Sequence, residues 1–210
     1  MIRTRFLAAT AVLTLIAVPA FAQGTMKNDT ASPGMAKQDD MSKDAMSSGR
    51  SVTVGGAPMY PTKNIIQNAV NSKDHTTLVA AVKAAGLVET LEGKGPFTVF
   101  APTNEAFAKL PAGTVDTLVK PENKKTLTGI LTYHVVAGAH SAADIKADIK
   151  KGGGKAEWKT VNGETLTGSM MENGTLVLTD EKGGKAHVTI GDVNQSNGVI
   201  HVIDTVLMPG

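Results

Sequence analysis

The histidine side chains are the groups of this sequence that could take part in the widest range of chemistry, because a histidine can bind a metal ion or transfer a proton near neutral pH. The chain contains five histidines and no cysteine. The five positions are His75, His134, His140, His187 and His201. They form no His-Glu-x-x-His motif, and the lack of cysteine excludes thiolate ligands and a cysteine nucleophile. We therefore predict no cofactor, and a zinc site would require histidines that are distant in sequence.

Two further patterns resemble catalytic motifs, but their context does not fit. Residues 152–155 read Gly-Gly-Gly-Lys, whereas a phosphate-binding loop needs Ser or Thr after the lysine and then a helix; here Ala156 and a predicted strand follow. Asp144 and Asp148 lie at helical spacing and are accompanied by Lys146 and Lys150, which is typical of a solvated helix face. No Gly-x-Ser-x-Gly nucleophile motif occurs. We therefore predict that the chain is not an enzyme.

The first 22 residues have the layout of a secretory signal peptide. Arg3 and Arg5 form a basic start, an apolar run covers residues 6–17, and small residues at 20 and 22 predict a cleavage site after Ala22. A membrane anchor is the alternative, but the run is shorter than the roughly 20 residues that span a bilayer. We therefore predict a secreted or periplasmic protein with no membrane span after removal of residues 1–22.

Removal of this segment balances the charges of the chain. The full sequence has 21 Lys and Arg residues and 19 Asp and Glu residues, and the loss of Arg3 and Arg5 makes these numbers equal. A net charge of zero argues against electrostatic binding to nucleic acid or to anionic membranes. Nucleic acid is therefore not a predicted partner.

The segment after the cleavage site has a different composition from the rest of the chain. Residues 23–50 contain four methionines, at Met26, Met35, Met41 and Met46, and lack aromatic and β-branched aliphatic residues. Such a segment cannot bury enough apolar area to offset chain entropy, so we predict a disordered tether over residues 23–55. The thioethers suit monovalent copper, whereas their irregular spacing without histidine is typical of a plain linker.

Apolar residues at helical spacing predict a series of short helices in the folded part, which we expect to begin near Met59. The expected N-caps or first residues are Thr62, Asp74 or Thr76, Leu87, Thr103 or Asn104, Pro121 and Ala142. Gly86 and the glycines at 152–154 are expected to end two of these helices.

Strands are expected between and after these helices. The short β-rich segments cover residues 96–101, 133–136, 156–161, 164–167, 175–179, 186–190 and 199–203. Within the first segment, Phe97, Val99 and Phe100 are expected to be buried beside Phe107 of the following helix. Helices followed by a run of strands predict an α+β fold rather than a doubly wound parallel sheet.

Three segments carry a more specific pattern. Residues 95–107 read Gly-Pro-Phe-Thr-Val-Phe-Ala-Pro-Thr-Asn-Glu-Ala-Phe, a Tyr133-His134 pair follows, and residues 198–209 read Gly-Val-Ile-His-Val-Ile-Asp-Thr-Val-Leu-Met-Pro. In this order they resemble the two sequence boxes and the central Tyr-His pair of the fasciclin domain. The resemblance implies a single fasciclin-like domain over residues 56–210, in which several short helices pack on a wedge of β-strands.

The resemblance also implies residues for partner binding. In some animal members a Tyr-His pair and an Asp-Ile pair before the second box are proposed integrin contacts. The matching positions and the turn that follows them are Tyr133, His134, Asp192, Val193 and Asn197. The neighbours Gly191 and Asn194 depart from the animal pattern. We expect a surface contact here, with Val193 supplying a small apolar group beside the Asp192 carboxylate.

Structural roles are the alternative for the same side chains. His134 lies at a helix-to-strand junction, where a half-buried imidazole can hydrogen-bond the backbone and hold the junction together. Asp192 can cap a turn before the second box. His201 lies in a strand that is apolar on both faces and is expected to be a core histidine.

These observations predict an exported, non-enzymatic domain for adhesion or interaction. Its expected partner is a surface, matrix or envelope component, either a protein or a polysaccharide. The alternative is a periplasmic ligand- or copper-handling protein that uses the methionine-rich tether.

Overall fold

The computed structural model describes residues 51–210. The signal peptide predicted at 1–22 and the tether methionines lie outside the described residues. The predicted end of the tether at residue 55 is wrong, because Val52–Val54 (β1) and Ala57–Met59 (β2) form an antiparallel hairpin. Val and Thr favour extended backbone, and two glycines with positive φ, Gly55 and Gly56, supply its tight turn.

The helices in this part of the chain are short. Their bounds are Ile65–Ala69 (α1), Thr76–Ala85 (α2), Val88–Glu92 (α3), Asn104–Ala108 (α4), Thr114–Leu118 (α5), Lys124–Tyr133 (α6) and Ala142–Lys151 (α7). Asn64, not Thr62, caps α1, because its Oδ1 accepts from the Gln67 N–H and Gln67 Oε1 accepts from the Asn64 N–H. The predicted cap at Thr103 and the predicted stop at Gly86 are confirmed.

Seven strands form one sheet. Their bounds are Phe97–Pro102 (β3), Val135–Ala137 (β4), Lys155–Lys159 (β5), Thr165–Met170 (β6), Leu176–Thr179 (β7), Lys185–Gln195 (β8) and Gly198–Ile203 (β9). The spatial order is β4-β3-β9-β8-β7-β6-β5, and β3 runs parallel to β9. The two sequence boxes therefore lie side by side, and the predicted α+β fold is confirmed.

The two outer strands of this sheet meet. Val136 and Thr160 form an antiparallel bridge, and the Val161 N–H donates to the Val135 carbonyl at 2.8 Å. The sheet thereby curls toward a barrel, with α7 packed against β5 and β6. This closure creates an interior for side chains on the inner face.

Two strand boundaries differ from expectation. The strand predicted at 133–136 begins only at Val135, because the apolar stripe of α6 continues the helix through Tyr133. The strand predicted to end at residue 190 continues to Gln195 by means of two register shifts. Bulges of this kind add residues to a strand without ending its pairing, and they are invisible to a simple alternating pattern.

Apolar side chains collect on both faces of β3. Val99 packs with Phe107 and helices α1, α2 and α6, whereas Phe100 faces the barrel interior with Trp158 and Ile203. The predicted burial of Phe100 is confirmed, but its placement beside Phe107 is wrong, because successive strand residues point to opposite faces.

Candidate functional site

Tyr133 lies in the barrel interior. Its side chain is fully buried, and its hydroxyl donates to the Thr165 carbonyl at 2.9 Å. Burial raises the pKa of Tyr133 to about 12, with nearby carboxylates acting in the same direction. The phenol is therefore a neutral internal brace in this fold, not an exposed contact.

His134 connects three parts of the fold. Its Nδ1–H donates to the Ile130 carbonyl at 2.8 Å, and its Nε2 accepts from the Leu207 N–H at 3.1 Å. Its own carbonyl accepts from the Phe100 N–H at 2.9 Å. A carbonyl only accepts and a backbone N–H only donates, so these partners select the neutral tautomer with the proton on Nδ1. Burial lowers the pKa of His134 to about 4.

His201 is a second internal histidine, as its strand pattern predicts. Its Nε2–H donates to the His140 carbonyl at 2.9 Å, and its ring stacks on Phe100 with 5.7 Å between centroids. The Asp192 N–H donates to Nδ1 at 3.4 Å. Burial lowers the pKa of His201. The ring is thus held neutral between β8, β9 and the start of α7.

Asp192 is exposed, but its carboxylate has an internal partner. Oδ1 accepts from the Ala142 N–H, at the start of α7, at 2.6 Å. The residue sits at a register shift with φ of 57°, a left-handed conformation that aspartate tolerates better than most residues. The predicted turn cap is close to the observed role, although the carboxylate anchors a helix rather than its own turn.

Val193 does not supply a surface contact. Its side chain is 1% exposed and packs in the core under α1 and α2. The expectation that it stands beside the Asp192 carboxylate at the surface is wrong, because both residues belong to β8 and neighbouring strand residues face opposite sides.

Asn197 joins three segments through its amide. Oδ1 accepts from the Ile65 N–H at 3.1 Å, and Nδ2 donates to the carbonyls of Leu91 (2.7 Å) and Gly93 (3.1 Å). This residue secures the start of α1 and the end of α3 to the β8–β9 turn. The Asn-Gly pair predicts the turn, but local sequence carries no signal for the three distant partners.

The five residues that the sequence nominates do not form one surface. His134 and Val193 line an internal cavity, whereas Asn197 lies at the edge of an open groove. Tyr133 is in the barrel interior, and Asp192 is at the start of α7. Among these five residues, Asn197 therefore lies in a groove with solvent-facing polar neighbours.

This polar groove has a volume of about 660 Å³ and runs between α1, the α3–β3 loop and the β8–β9 turn. Its lining includes the polar residues Asn64, Gln67, Glu92, Lys94, Asn194, Ser196 and Asn197, together with the buried Gln195. Its floor includes Gly95 and Gly198, where an added Cβ would come within 2.0 Å of the backbone oxygen of Asn197 or Phe97. The backbones of the α3–β3 loop and of the β8–β9 turn therefore lie close together at the base of the groove. Sequence reasoning missed this groove because its walls come from three distant segments.

The groove presents hydrogen-bonding groups with little net charge. The amide oxygens of Asn64 and Gln67 are bound within the α1 cap, which leaves their amide N–H groups to face a ligand. Glu92 and Lys94 carry opposite charges and are both exposed. The surface therefore suits a neutral, polar partner.

A histidine–carboxylate pair occurs at the surface, away from the groove residues. His187 Nδ1 lies 3.0 Å from Asp204 Oδ2, and Lys109 Nζ lies 3.6 Å from the same oxygen. Partial burial raises the pKa of the Asp204 carboxyl, but hydrogen bonds from His187 and Thr205 outweigh it and lower the pKa overall. Within residues 51–210, no three His, Asp or Glu side chains are placed to hold a metal ion. The same range contains no helix long and apolar enough to cross a membrane.

Comparison with known proteins agrees with this architecture. The fasciclin domain matches residues 73–209. Protein sll1483 of Synechocystis is 47% identical over 160 residues, which cover 76% of this chain and 81% of that protein. Cell surface glycolipoprotein MPB83 of Mycobacterium bovis is 38% identical over 146 residues, which cover 67% of this chain and 58% of that protein.

A solved structure gives the same fold. The FAS1 domain pair from the insect cell adhesion molecule Fasciclin I superposes with a TM-score of 0.62 at 19% identity, covering 75% of this chain and 57% of that one. This chain thus spans little more than half of the insect domain pair and of the mycobacterial glycolipoprotein. The domains of this family are generally non-enzymatic adhesion modules. On its sequence boxes, its fold and these matches, the chain belongs to the fasciclin-domain family.

Proposed function

We propose that this chain is an exported adhesion domain that holds a neutral polysaccharide in the polar groove. The observation that carries the proposal is the groove of about 660 Å³, with solvent-facing amide, hydroxyl and charged groups on its walls. Its volume falls in the range of roughly 300–1,000 Å³ that is usual for ligand sites.

The chemistry of the groove favours hydroxyl-rich ligands. The Asn194 amide can both donate and accept hydrogen bonds, as sugar hydroxyls do, whereas the Gln67 amide offers its N–H groups because its oxygen is bound in the α1 cap. The exposed Asn194 and Ser196 stand on one wall, and the amide of Gln67 stands on the wall formed by α1. Asn197 supports the groove from behind through its three internal hydrogen bonds.

Charge supports a neutral polymer over an anionic one. Glu92 and Lys94 offset each other within the groove, and the predicted mature chain has equal numbers of acidic and basic residues. Electrostatic attraction then adds little to affinity or to association rate. Each contact is expected to be weak, and attachment gains strength when many copies meet one polymer.

Export rests on the predicted signal peptide at 1–22, and it agrees with the cell-surface location that names one relative. Adhesion also agrees with the insect cell adhesion molecule that shares the fold. The copper-handling alternative depends on methionines outside the described residues, and no contact in residues 51–210 favours it.

Binding to immobilised neutral and anionic polysaccharides tests the proposal. The double variant Asn194→Ala with Ser196→Ala removes two exposed groups of the groove. We expect its dissociation constant to be about tenfold higher, since each neutral hydrogen bond contributes about 0.5–1.5 kcal/mol. The matched control, Glu157→Ala with Lys159→Ala, changes two exposed positions on β5 and should bind normally. Equal binding by both double variants, or a preference for anionic polymers, would reject the groove as the site.

A further inference from the structure

A cavity lies on the other side of the sheet from the barrel interior, under the β1–β2 hairpin and helices α1 and α2. Its volume is about 40 Å³. Most of the side chains around it are aliphatic, and they include Met59, Ile66, Leu78, Val82, Val99 and Ile200. Two histidines, His75 and His134, are also part of the wall.

The two histidines differ in what they offer to the cavity. Both ring nitrogens of His134 have backbone partners, Ile130 and Leu207. His75 is 4% exposed, and its Nδ1 lies 2.9 Å from the Ser72 hydroxyl oxygen. Its Nε2 makes no hydrogen bond of regular geometry among residues 51–210, although the Ala101 carbonyl lies near enough to act on the ring. A buried polar atom without a hydrogen bond is unfavourable, so a partner at this position would be stabilising.

We propose that this cavity binds a small neutral organic molecule through one hydroxyl or carbonyl group that pairs with His75 Nε2. The rest of the ligand would contact the aliphatic wall. This site is separate from the polar groove and does not depend on the function proposed for it.

The size and polarity of the cavity narrow the choice of occupant. A single enclosed water needs roughly 10–15 Å³, so this cavity suits a molecule of about four heavy atoms. A buried water commonly makes about three hydrogen bonds, whereas the aliphatic wall and the satisfied His134 leave His75 Nε2 as the polar atom in need of a partner. A compact organic molecule with one polar group satisfies both parts of the wall.

The Ser72 hydroxyl allows His75 to pair with a ligand that carries either a carbonyl or a hydroxyl group. If the hydroxyl donates to Nδ1, the ring proton resides on Nε2 and can be donated to a carbonyl oxygen. If the hydroxyl rotates and accepts from Nδ1–H, Nε2 becomes an acceptor for an alcohol. Burial lowers the pKa of His75 against the opposing effects of the Ala101 carbonyl and Asp74, which keeps the ring neutral in both arrangements.

The segment that carries His75 also supports the roof of the cavity. The Lys73 N–H donates to the Gly55 carbonyl in the β1–β2 turn at 3.2 Å. An added Cβ at Gly55 would lie 2.4 Å from the Ser72 hydroxyl oxygen, so the hairpin turn sits directly on the partner of His75. Ligand entry is therefore expected to involve the hairpin and the turn at residues 72–75 together.

Three probes of the same branched, four-heavy-atom shape separate the polar contribution from the apolar one: acetone, 2-propanol and isobutene. Titration of the 15N-labelled protein should give saturable shifts of the His75 ring nitrogens. The dissociation constants for acetone and 2-propanol should be about 2–10-fold lower than that for isobutene, because one neutral hydrogen bond is added.

Variants assign the preference to the proposed contact. His75→Phe keeps a planar ring without Nε2 and should remove the preference while isobutene still binds. Val82→Ile fills the cavity, leaves the histidine intact, and should weaken binding of all three probes. His187→Gln, at the surface, is the control and should behave as wild type. Equal affinity for the three probes, no saturable shift, persistence of the preference in the His75→Phe protein, or undiminished binding of all three probes by the Val82→Ile protein overturns the proposal, as does a crystal structure with ordered water held at Nε2 in the presence of 2-propanol.

Discussion

His134 Nε2 accepts a hydrogen bond of 3.1 Å from the Leu207 N–H, so one imidazole links the end of α6 to the last apolar segment of the chain. The same ring donates to the Ile130 carbonyl through Nδ1. The second half of the Tyr-His pair thus joins two segments that are 73 residues apart in sequence. These internal hydrogen bonds give His134 a structural role in this domain that does not require a binding partner.

Replacement of His134 is expected to destabilise the fold. His134→Ala leaves the Leu207 N–H and the Ile130 carbonyl without their buried partner and creates a void, so the free energy of unfolding should fall by about 3–5 kcal/mol. Urea unfolding followed by circular dichroism measures this loss. An unfolding midpoint close to that of the wild type would show that the ring is dispensable for stability. The fraction of His134→Ala that is folded at low temperature should still bind polysaccharide.

Stability is expected to decline in mild acid. The pKa of His134 is about 4 in the folded protein and about 6.5 in the unfolded chain, so the unfolded state binds more protons between these values. The free energy of unfolding should therefore fall as pH drops from about 6.5 to about 4, by on the order of 3 kcal/mol from this residue. The lowered pKa values of His75 and His201 act in the same direction.

The contribution of His134 to this slope can be isolated by comparison with His134→Gln. Its unfolding free energy, measured from pH 7 to pH 4, should depend less on pH than that of the wild type. An unchanged slope would assign the acid sensitivity to other groups.

Asp192 is expected to stabilise the start of α7. Asp192→Ala removes the acceptor of the Ala142 N–H and places alanine at φ of 57°, so a loss of about 1–2 kcal/mol is expected. Asp192→Asn is the matched variant, because asparagine tolerates this conformation and keeps an acceptor oxygen. Hydrogen exchange of the Ala142 amide should accelerate in the alanine variant and change little in the asparagine variant. Equal exchange in all three proteins would mean that the carboxylate does not anchor the helix.

Gly168 is expected to resist substitution because Trp158 packs on it. A Cβ at position 168 would lie 2.4 Å from the indole ring, so Gly168→Ala should cost about 1–3 kcal/mol through overpacking. Trp158 is the single tryptophan of the chain, and its fluorescence therefore reports directly on the displaced ring. Ser169→Ala, one residue further on, changes a partly exposed position and should leave the emission spectrum unchanged. An unshifted spectrum in the Gly168→Ala protein would indicate that the ring has room to move.

Local sequence predicted the elements whose signals are local. The cap at Thr103, the stop at Gly86 and the hairpin around Asn162-Gly163 depend on residues within one turn, and all are present. The hairpin at residues 52–59 was missed, because it adjoins a segment of very different composition and contains only two short strands.

The residues nominated for binding show where local signals stop. Nothing near Asn197 announces its bonds to Ile65 and Leu91, which lie 132 and 106 residues away. The orientation of Val193 depends on two register shifts within β8, and each shift changes which side chains face the core. The groove likewise needs the tertiary fold, because the parallel pairing of β3 with β9 brings its floor together.

The bridge between β4 and the residue that follows β5, at Val136 and Thr160, has a consequence for this domain at high local concentration. An unpaired strand edge is a template on which another chain can add a strand, and crowding on a surface favours such additions. At this seam each outer strand turns its backbone toward the other, and the Val161 N–H is already occupied by the Val135 carbonyl. Dense arrays of the domain are thereby protected, along this seam, from fusing edge to edge into fibres.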